Sequence, residues 1–310
     1  MVGTNQHRVT VFGATGFIGS YLVEQLAKAG YQINIVTRDC EKALSLKPAG
    51  DMGQINIIRC ALDELDLLEE IISGSDSIIY LPGILFQKNK DSFDKIHHQI
   101  PKHIARIATS YKIENYVHMS ALGANLQSKS AYSRSKAGGE VATRSYIHNA
   151  TIIRPSLVFG VGDGFFTKLT PLFKYAPFVP CFYPHAQFQP VSVMDVCHAI
   201  LQCLSNSKFK GLTFELGGPE IITMRQMLEM LINTAGWSKK LVNMPNITAY
   251  MLAIISSILP NPMISFDQIK MLSAQSGNII TGASPSFETL SITPKTLSSQ
   301  LPYIIKSAHA

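Results

Sequence analysis

Residues 9–12 form a continuous β-branched and aromatic run that stops at Gly13, the pattern of a buried strand. The period then changes. Phe17, Ile18, Tyr21, Leu22, Leu26 and Ala29 recur at helical spacing, and Gly30 supplies a C-terminal stop. Ile33, Ile35 and Val36 return to a strand pattern, which closes a strand–helix–strand unit of about 30 residues. The alternation continues with strand runs at 55–59, 77–81, 116–119 and 151–153. Helices are expected between them: one through residue 72 with Asp63 as its N-cap, one over 92–111 that Pro101 kinks or breaks, and one over 132–144. This predicts an α/β fold, a doubly wound parallel sheet with helices on both faces. Ligands of such sheets gather beyond the C-terminal strand ends, where Gly13, Gly83, Ser120 and Pro155 fall. Past Pro155 the rhythm loosens. Pro171, Pro177, Pro180, Pro184 and Pro190 punctuate it, with helices expected at 194–204 and 224–235 and a strand at 212–216.

The first turn carries chemistry. Gly13-Ala14-Thr15-Gly16-Phe17-Ile18-Gly19 leaves a strand and opens a helix. Gly13 permits the tight turn, Gly16 lets backbone approach a pyrophosphate, and Gly19 lets the helix pack on the sheet. The helix N-terminus adds free N–H groups and a positive dipole end. This context makes the segment a dinucleotide grip and the sheet Rossmann-type. At the end of the second strand, Arg38 suits a ribose 2′-phosphate by its planar fork. Asp39 suits a free 2′-hydroxyl if it faces the pocket instead. NADP(H) is therefore favoured, with NAD(H) the alternative. The expected layout is a Rossmann domain over 1–155 and a smaller, intertwined mixed lobe over 156–310. Its tail, from about 273, is rich in Ser, Thr and Gly and is expected to be mobile.

Tyr132 and Lys136 stand four apart on an expected helix, so they share a face. A Lys cation near a Tyr hydroxyl lowers its pKa and makes it a usable acid or base. Ser120, at the neighbouring strand end, could hold a substrate carbonyl. A bland alternative stands beside this: an exposed helix pair and a strand-end cap.

Composition narrows the class. In 310 residues, 46% are hydrophobic and 15% charged, enough for a large core. The formal charge of +6 is scattered, without the basic run of a nucleic-acid arm. Five cysteines, far apart and without C-x-x-C spacing, argue for reduced thiols rather than disulfides or zinc. No metal site is expected. His97 and His98 are adjacent, diverge on a helix, and read as structural or surface. The first ten residues are too short and polar for a secretory signal. The apolar stretch 247–259 is too short to span a bilayer and reads by default as a core helix of the small lobe; contact with an interface or an apolar subunit is the alternative.

On these residues the chain resembles the extended or atypical short-chain dehydrogenase/reductases, the NAD(P)-dependent epimerase/dehydratase group. The resemblance covers about residues 8–235. It rests on Gly13, Gly16 and Gly19, on Tyr132 and Lys136, and on the segment from Arg154 to Gly160. It implies a cofactor cradle of Gly13, Thr15, Gly16, Phe17, Ile18, Gly19, Arg38, Leu81, Pro82, Gly83, Lys136, Pro155, Ser156 and Val158. Catalytic roles would fall on Tyr132, Lys136 and Ser120. Three departures accompany it: Gln99 stands near the family's relay Asn, Cys60 replaces an adenine-contacting acid, and Ala121 follows Ser120. Within the group the chain is most similar to the NADPH-binding accessory subunits of respiratory complex I. The stretches around Gln99–Ala105, His118–Asn125, Tyr132–Ala137 and Phe266–Leu272 carry that likeness. It implies a bound dinucleotide in an assembly role, partners in a complex I type NADH:ubiquinone oxidoreductase or a membrane surface, and a place in the cytoplasm, peripheral on the inner membrane. The alternative is an active oxidoreductase or epimerase acting on a sugar nucleotide or a quinone- or isoprenoid-like substrate.

Overall fold

The structure is a computed structural model, and it describes residues 7–87, 91–256, 265–273 and 279–308. Its centre is a seven-stranded, all-parallel sheet. In chain order the strands are β1 (Arg8–Phe12), β2 (Gln32–Thr37), β3 (Ile55–Arg59), β4 (Ser77–Tyr80), β5 (Asn115–Met119), β6 (Thr151–Pro155) and β7 (Thr213–Leu216). Their spatial order is β7-β6-β5-β4-β1-β2-β3. The order reverses beside β1, so the crevice of a doubly wound sheet opens over the Gly13 turn.

Alternation along the strands builds two core layers. Val9, Val11, Ile33 and Ile35 face one side, where they meet Leu22, Val23 and Leu26 of α1 (Phe17–Lys28). Phe12, Val36, Ile78, Tyr80 and Tyr116 face the other. There they pack under α2 (Leu65–Ser73) and α3 (Ile100–Ser110). Helix α2 starts later than expected, because Glu64 rather than Asp63 is its N-cap residue.

Pro101 does not break its helix. A π-turn, Lys95–Gln99, runs straight into α3, and Pro101 sits in the first turn of the α-helical part. That geometry suits a residue without an N–H. The His97 carbonyl is turned towards α4 (Ala131–Arg144), and only a glycine there allows the approach. A Cβ on Gly139 would lie 1.9 Å from that oxygen.

The later chain is woven back into the first domain. β7 extends the sheet beside β6, and α6 (Val193–Ser205) packs on the α1 side of it. The remaining lobe gathers α5 (Phe166–Tyr175), α7 (Met224–Thr234) and α10 (Leu297–Ala308) around Phe166, Phe173, Met227, Leu231, Leu301 and Ile304. The chain that follows Ser273 also returns to the sheet. Thr281 binds the Glu215 carboxylate through both its N–H (2.7 Å) and its hydroxyl (2.8 Å). Phe287 and Leu290 are buried in the main core. Of the tail expected to be mobile, residues 274–278 lie outside the described residues.

Between α7 and α10 come α8 (Asn246–Ser256) and α9 (Phe266–Ser273). The expected core helix at 247–259 is described only to residue 256. It buries Ala249 and Ala253 while Ile247, Tyr250, Met251 and Ile254 face outward.

Candidate functional site

The turn after β1 is an open anion cradle. Gly13 has φ +81°, and a side chain there would meet the Pro82 backbone nitrogen at 3.1 Å. A Cβ on Gly19 would fall 2.4 Å from the Gly13 carbonyl oxygen, so only glycine lets α1 start this close to the strand. Gly16 is the N-cap of α1, with no side-chain cap and no acid in the first turn. The dipole end is left for a ligand. Thr15 and Gly16 lie at the surface of the turn, and Phe17 and Ile18 pack half-buried against the core behind it.

At the end of β2 the two candidate ribose residues part ways. Asp39 is the N-cap of the helical turn Cys40–Leu44 and accepts from the Lys42 N–H at 3.0 Å. Arg38 projects outward, its Nη1 3.6 Å from the Asp91 carboxylate. Arg59, which ends β3, is in register with Thr37, so a second guanidinium stands at the adjacent strand end. The sequence reading passed over Arg59. The spacing across a parallel pair would have pointed to it. The Cys60 thiol is buried and donates to the Ala61 carbonyl. Burial, with Glu64 nearby, pushes it up to about 11. It offers a base no charge.

The crevice continues through Leu81, Pro82 and Gly83, which follow β4. Lys136 reaches this loop from α4. Its Nζ donates to the Met119 carbonyl (3.1 Å) and would stand 3.2 Å from a Cβ on Gly83. Burial lowers the ammonium to about 8, against a pull upward from Glu140. Pro155 and Ser156 close the far side by pairing with Leu216, and Val158 pairs with Val191 in a short ladder.

Tyr132 lies half-buried on the same helix, edge-on to the rings of His97 (5.4 Å) and Phe93 (5.9 Å). Two effects act on its phenol in this geometry. Burial first, and the Asp267 carboxylate second, push it up to about 12, and Lys136 is turned to the Met119 carbonyl. Ser120 differs from expectation. It is buried, and its hydroxyl donates to Glu140 rather than into the crevice. Glu140 in turn takes a bidentate fork from Arg154, at 2.8 and 2.6 Å, and Arg154 also faces Glu215 at 3.8 Å. That chain ties α4 to β6 and β7, and Ser120 is part of it.

Gln99 is exposed and donates to Asp94 (2.5 Å), so it does not reach Lys136. His97, two residues earlier, holds the interior position. Its Nε2 accepts the Ile84 N–H (3.0 Å), which leaves the proton on Nδ1, and that N–H donates to Ser135 Oγ (2.8 Å). Burial, with Lys136 and His118 nearby, holds His97 neutral, its pKa lowered to about 2. His98 pairs with Asp94 at the surface. Among the described residues, no group of three or more His, Cys, Asp or Glu could hold a metal.

The sequence pattern of the NAD dependent epimerase/dehydratase family matches residues 9–217. The chain belongs to this family. The epimerase/dehydratase match spans every strand of the sheet and ends just past β7. Among curated proteins, the chain is 36% identical over 267 residues to NADH dehydrogenase [ubiquinone] 1 alpha subcomplex subunit 9, mitochondrial, of Dictyostelium discoideum, covering 84% of this chain and 74% of that one. It is 31% identical to the NADH-ubiquinone oxidoreductase 40 kDa subunit of Neurospora crassa, covering 85% and 70%. Among solved structures, an NADPH-dependent quinone oxidoreductase of Escherichia coli, complexed with NADPH, superposes with a TM-score of 0.75 at 16% identity over 96% of this chain and 99% of that one. That likeness is one of fold. As an epimerase/dehydratase family member the chain is an NAD(P)-binding protein, and the Gly13–Gly19 cradle has the open helix terminus that a pyrophosphate needs.

Proposed function

We propose that this chain is an NADP(H)-holding accessory subunit of a complex I type NADH:ubiquinone oxidoreductase, docked at the surface of the inner membrane on its cytoplasmic side. The observation that carries the reading is its 36% identity, across 84% of its length, to a subunit of the mitochondrial NADH dehydrogenase. Two features of the site support a holding role. Ser120 is committed to the buried Glu140–Arg154 pair and so does not offer its hydroxyl to a substrate carbonyl. The Tyr132 phenol, at about 12, is a poor acid or base at neutral pH. NADP(H) rather than NAD(H) is supported by Asp39 being spent as a cap, with Arg38 and Arg59 flanking the place of a 2′-phosphate.

A dinucleotide would lie along the C-terminal strand ends. The N–H groups opening α1 would hold its pyrophosphate, Arg38 its 2′-phosphate, and Lys136 its nicotinamide ribose. When bound it supplies a hydride donor or acceptor. In the docked subunit these residues would hold the nucleotide, and its binding would stabilise the folded chain by mass action.

A second reading has one observation in its favour. Lys136, lowered to about 8 beside Gly83, retains the position and the titration range of a working lysine. A hydride transfer with Tyr132 as proton donor then remains open to test. Protein extracted gently from its own membranes should co-migrate on a native gel with a large NADH-oxidising complex and release NADP(H) on denaturation. A Tyr132→Phe chain should complement complex assembly as well as the wild type does. A free protein with exchangeable nucleotide, whose role is lost with Tyr132→Phe, would replace the subunit reading with the enzyme one.

A further inference from the structure

Helix α4 carries its own local cap: Ser130 Oγ accepts from the Ser133 N–H at 3.2 Å. It nevertheless receives a carboxylate from far along the chain. Asp267, on α9, accepts from Ser130 Oγ (2.5 Å), from the Ala131 N–H (2.8 Å) and from the Tyr132 N–H (2.8 Å). The line does not stop there. The Tyr132 carbonyl accepts from Ser135 Oγ (2.8 Å), Ser135 Oγ accepts from His97 Nδ1 (2.8 Å), and His97 Nε2 accepts from the Ile84 N–H (3.0 Å). Ile84 follows Gly83, the residue against which Lys136 Nζ is packed. A continuous series of hydrogen bonds therefore runs from α9 to the loop beside Lys136.

We propose that Asp267 and His97 are positioning residues of the dinucleotide site, through which docking of α9 and occupancy of that site control one another. The inference rests on dinucleotide binding and not on the complex I reading. Two physical features favour a released state of α9 beside the docked one. It is thinly anchored: Ile269 is its one fully buried residue, in a small cluster with Ala249 and Ala253. An open pocket of about 520 Å³, lined by Tyr183, Pro184, Met244, Pro245 and Leu272, lies against the end of the same helix. Elements with few buried contacts open at low free energy. The carboxylate at the α4 N-terminus, favoured by the helix dipole, is then a large share of what holds α9 down. Releasing it frees the Tyr132 backbone and, through Ser135, the His97 ring that fixes Ile84. A ligand that orders Gly83 and Lys136 favours the docked state, and by linkage the docked state favours the ligand to the same degree.

The test uses the full chain, with NADPH as the probe. Amide exchange at residues 265–273 is followed with and without NADPH, and occupancy is read independently from nucleotide fluorescence. Saturating NADPH should slow exchange there by about fivefold or more. Asp267→Ala should speed it and weaken NADPH binding. His97→Phe keeps the ring against Phe93 and Tyr132 but removes both nitrogens. It should leave Asp267 capping α4, yet abolish the response of 265–273 to NADPH. The double variant should bind NADPH no worse than the weaker single one, and Asp267→Asn should fall between wild type and Asp267→Ala. Occupied wild-type protein with unchanged exchange at 265–273 overturns the proposal without any variant. So do independent, additive effects of the two substitutions. A wild type that binds neither NADPH nor NADH overturns the dinucleotide reading itself, and the proposal with it.

Discussion

Arg38 and Asp39 are adjacent, yet the chain uses them for different ends. Asp39 is held by the Lys42 N–H as a helix cap. Among the described residues Arg38 makes a long contact to Asp91, and exposed pairs of this kind contribute about 0–1 kcal/mol. A 2′-phosphate can take the place of Asp91 at little cost and offers a bidentate partner in return. Hydrogen bonds to charged groups are worth about 1.5–3 kcal/mol, so Arg38→Ala should weaken NADPH about 10- to 100-fold. NADH affinity should change less than about twofold, because a 2′-hydroxyl gives the guanidinium no charge to bind. Titration of both nucleotides by fluorescence checks this. Equal losses for the two would mean that Arg38 supports the crevice and does not read the phosphate. The glycines of the same crevice were legible in the sequence because their reason is steric and local. The sequence favoured Arg38 over Asp39, but the cap that Asp39 forms was not legible, because the helical turn Cys40–Leu44 is too short to leave a periodic signal.

The same contrast holds between elements. Strand and helix runs could be placed from periodicity, since each buries its own face against the sheet. The turn before α3 could not. A π-turn changes the angular register of a helix, and it decides which of His97, His98 and Gln99 faces α4. The sequence pointed at Gln99, and the turn brings in His97. A contact such as Asp267 on α4 has no local trace at all, because its partners lie 135 or more positions away. The buried histidines give this interface a pH dependence. His97 is lowered to about 2 and His118, on β5 under α4, to about 3, in each case first by burial and then by nearby positive charge. Unfolded histidine takes its proton near 6.5. Below that pH the unfolded chain binds protons that the folded chain refuses, so stability is lost as pH falls from about 6.5 towards about 3. Each histidine contributes a slope of about 1.4 kcal/mol per pH unit once well below 6.5. Urea midpoints should therefore drop steeply between pH 6.5 and 4.5, and His97→Phe should remove roughly half of the histidine part of the slope. A flat profile over that range would mean that both rings reach water or a counter-ion in the folded protein.

At the scale of the whole molecule, the chain after Pro155 closes on the Rossmann sheet through β7, α6 and α10, while α8 and α9 share a small cluster of their own around Ala249, Ala253 and Ile269. Helix α8 turns Ile247, Tyr250, Met251 and Ile254 outward, at positions i, i+3, i+4 and i+7, with exposures of 65, 36, 56 and 58%. That spacing is one continuous face, and the face is apolar. Among the described residues no helix is long and apolar enough to cross a membrane. Fully covering such side chains is worth about 1.5–3 kcal/mol each, so if the chain is the docked subunit proposed above, the stripe is its expected contact. Met251→Glu separates this contact from everything else the fold does. In the free protein the new carboxylate stands in water, and the change should stay within about 0.5 kcal/mol. Melting temperature and NADPH affinity should then match the wild type. In a covered interface the same carboxylate is desolvated without a partner, at a cost of several kcal/mol. The variant should vanish from the large complex on a native gel and run free with its nucleotide bound. Retention of Met251→Glu in the complex at wild-type levels would place the docking surface elsewhere on the molecule. Loss of the complex together with loss of NADPH would mean that α8 acts through α9 and the Asp267 cap, which would join the outer face and the nucleotide crevice into a single device.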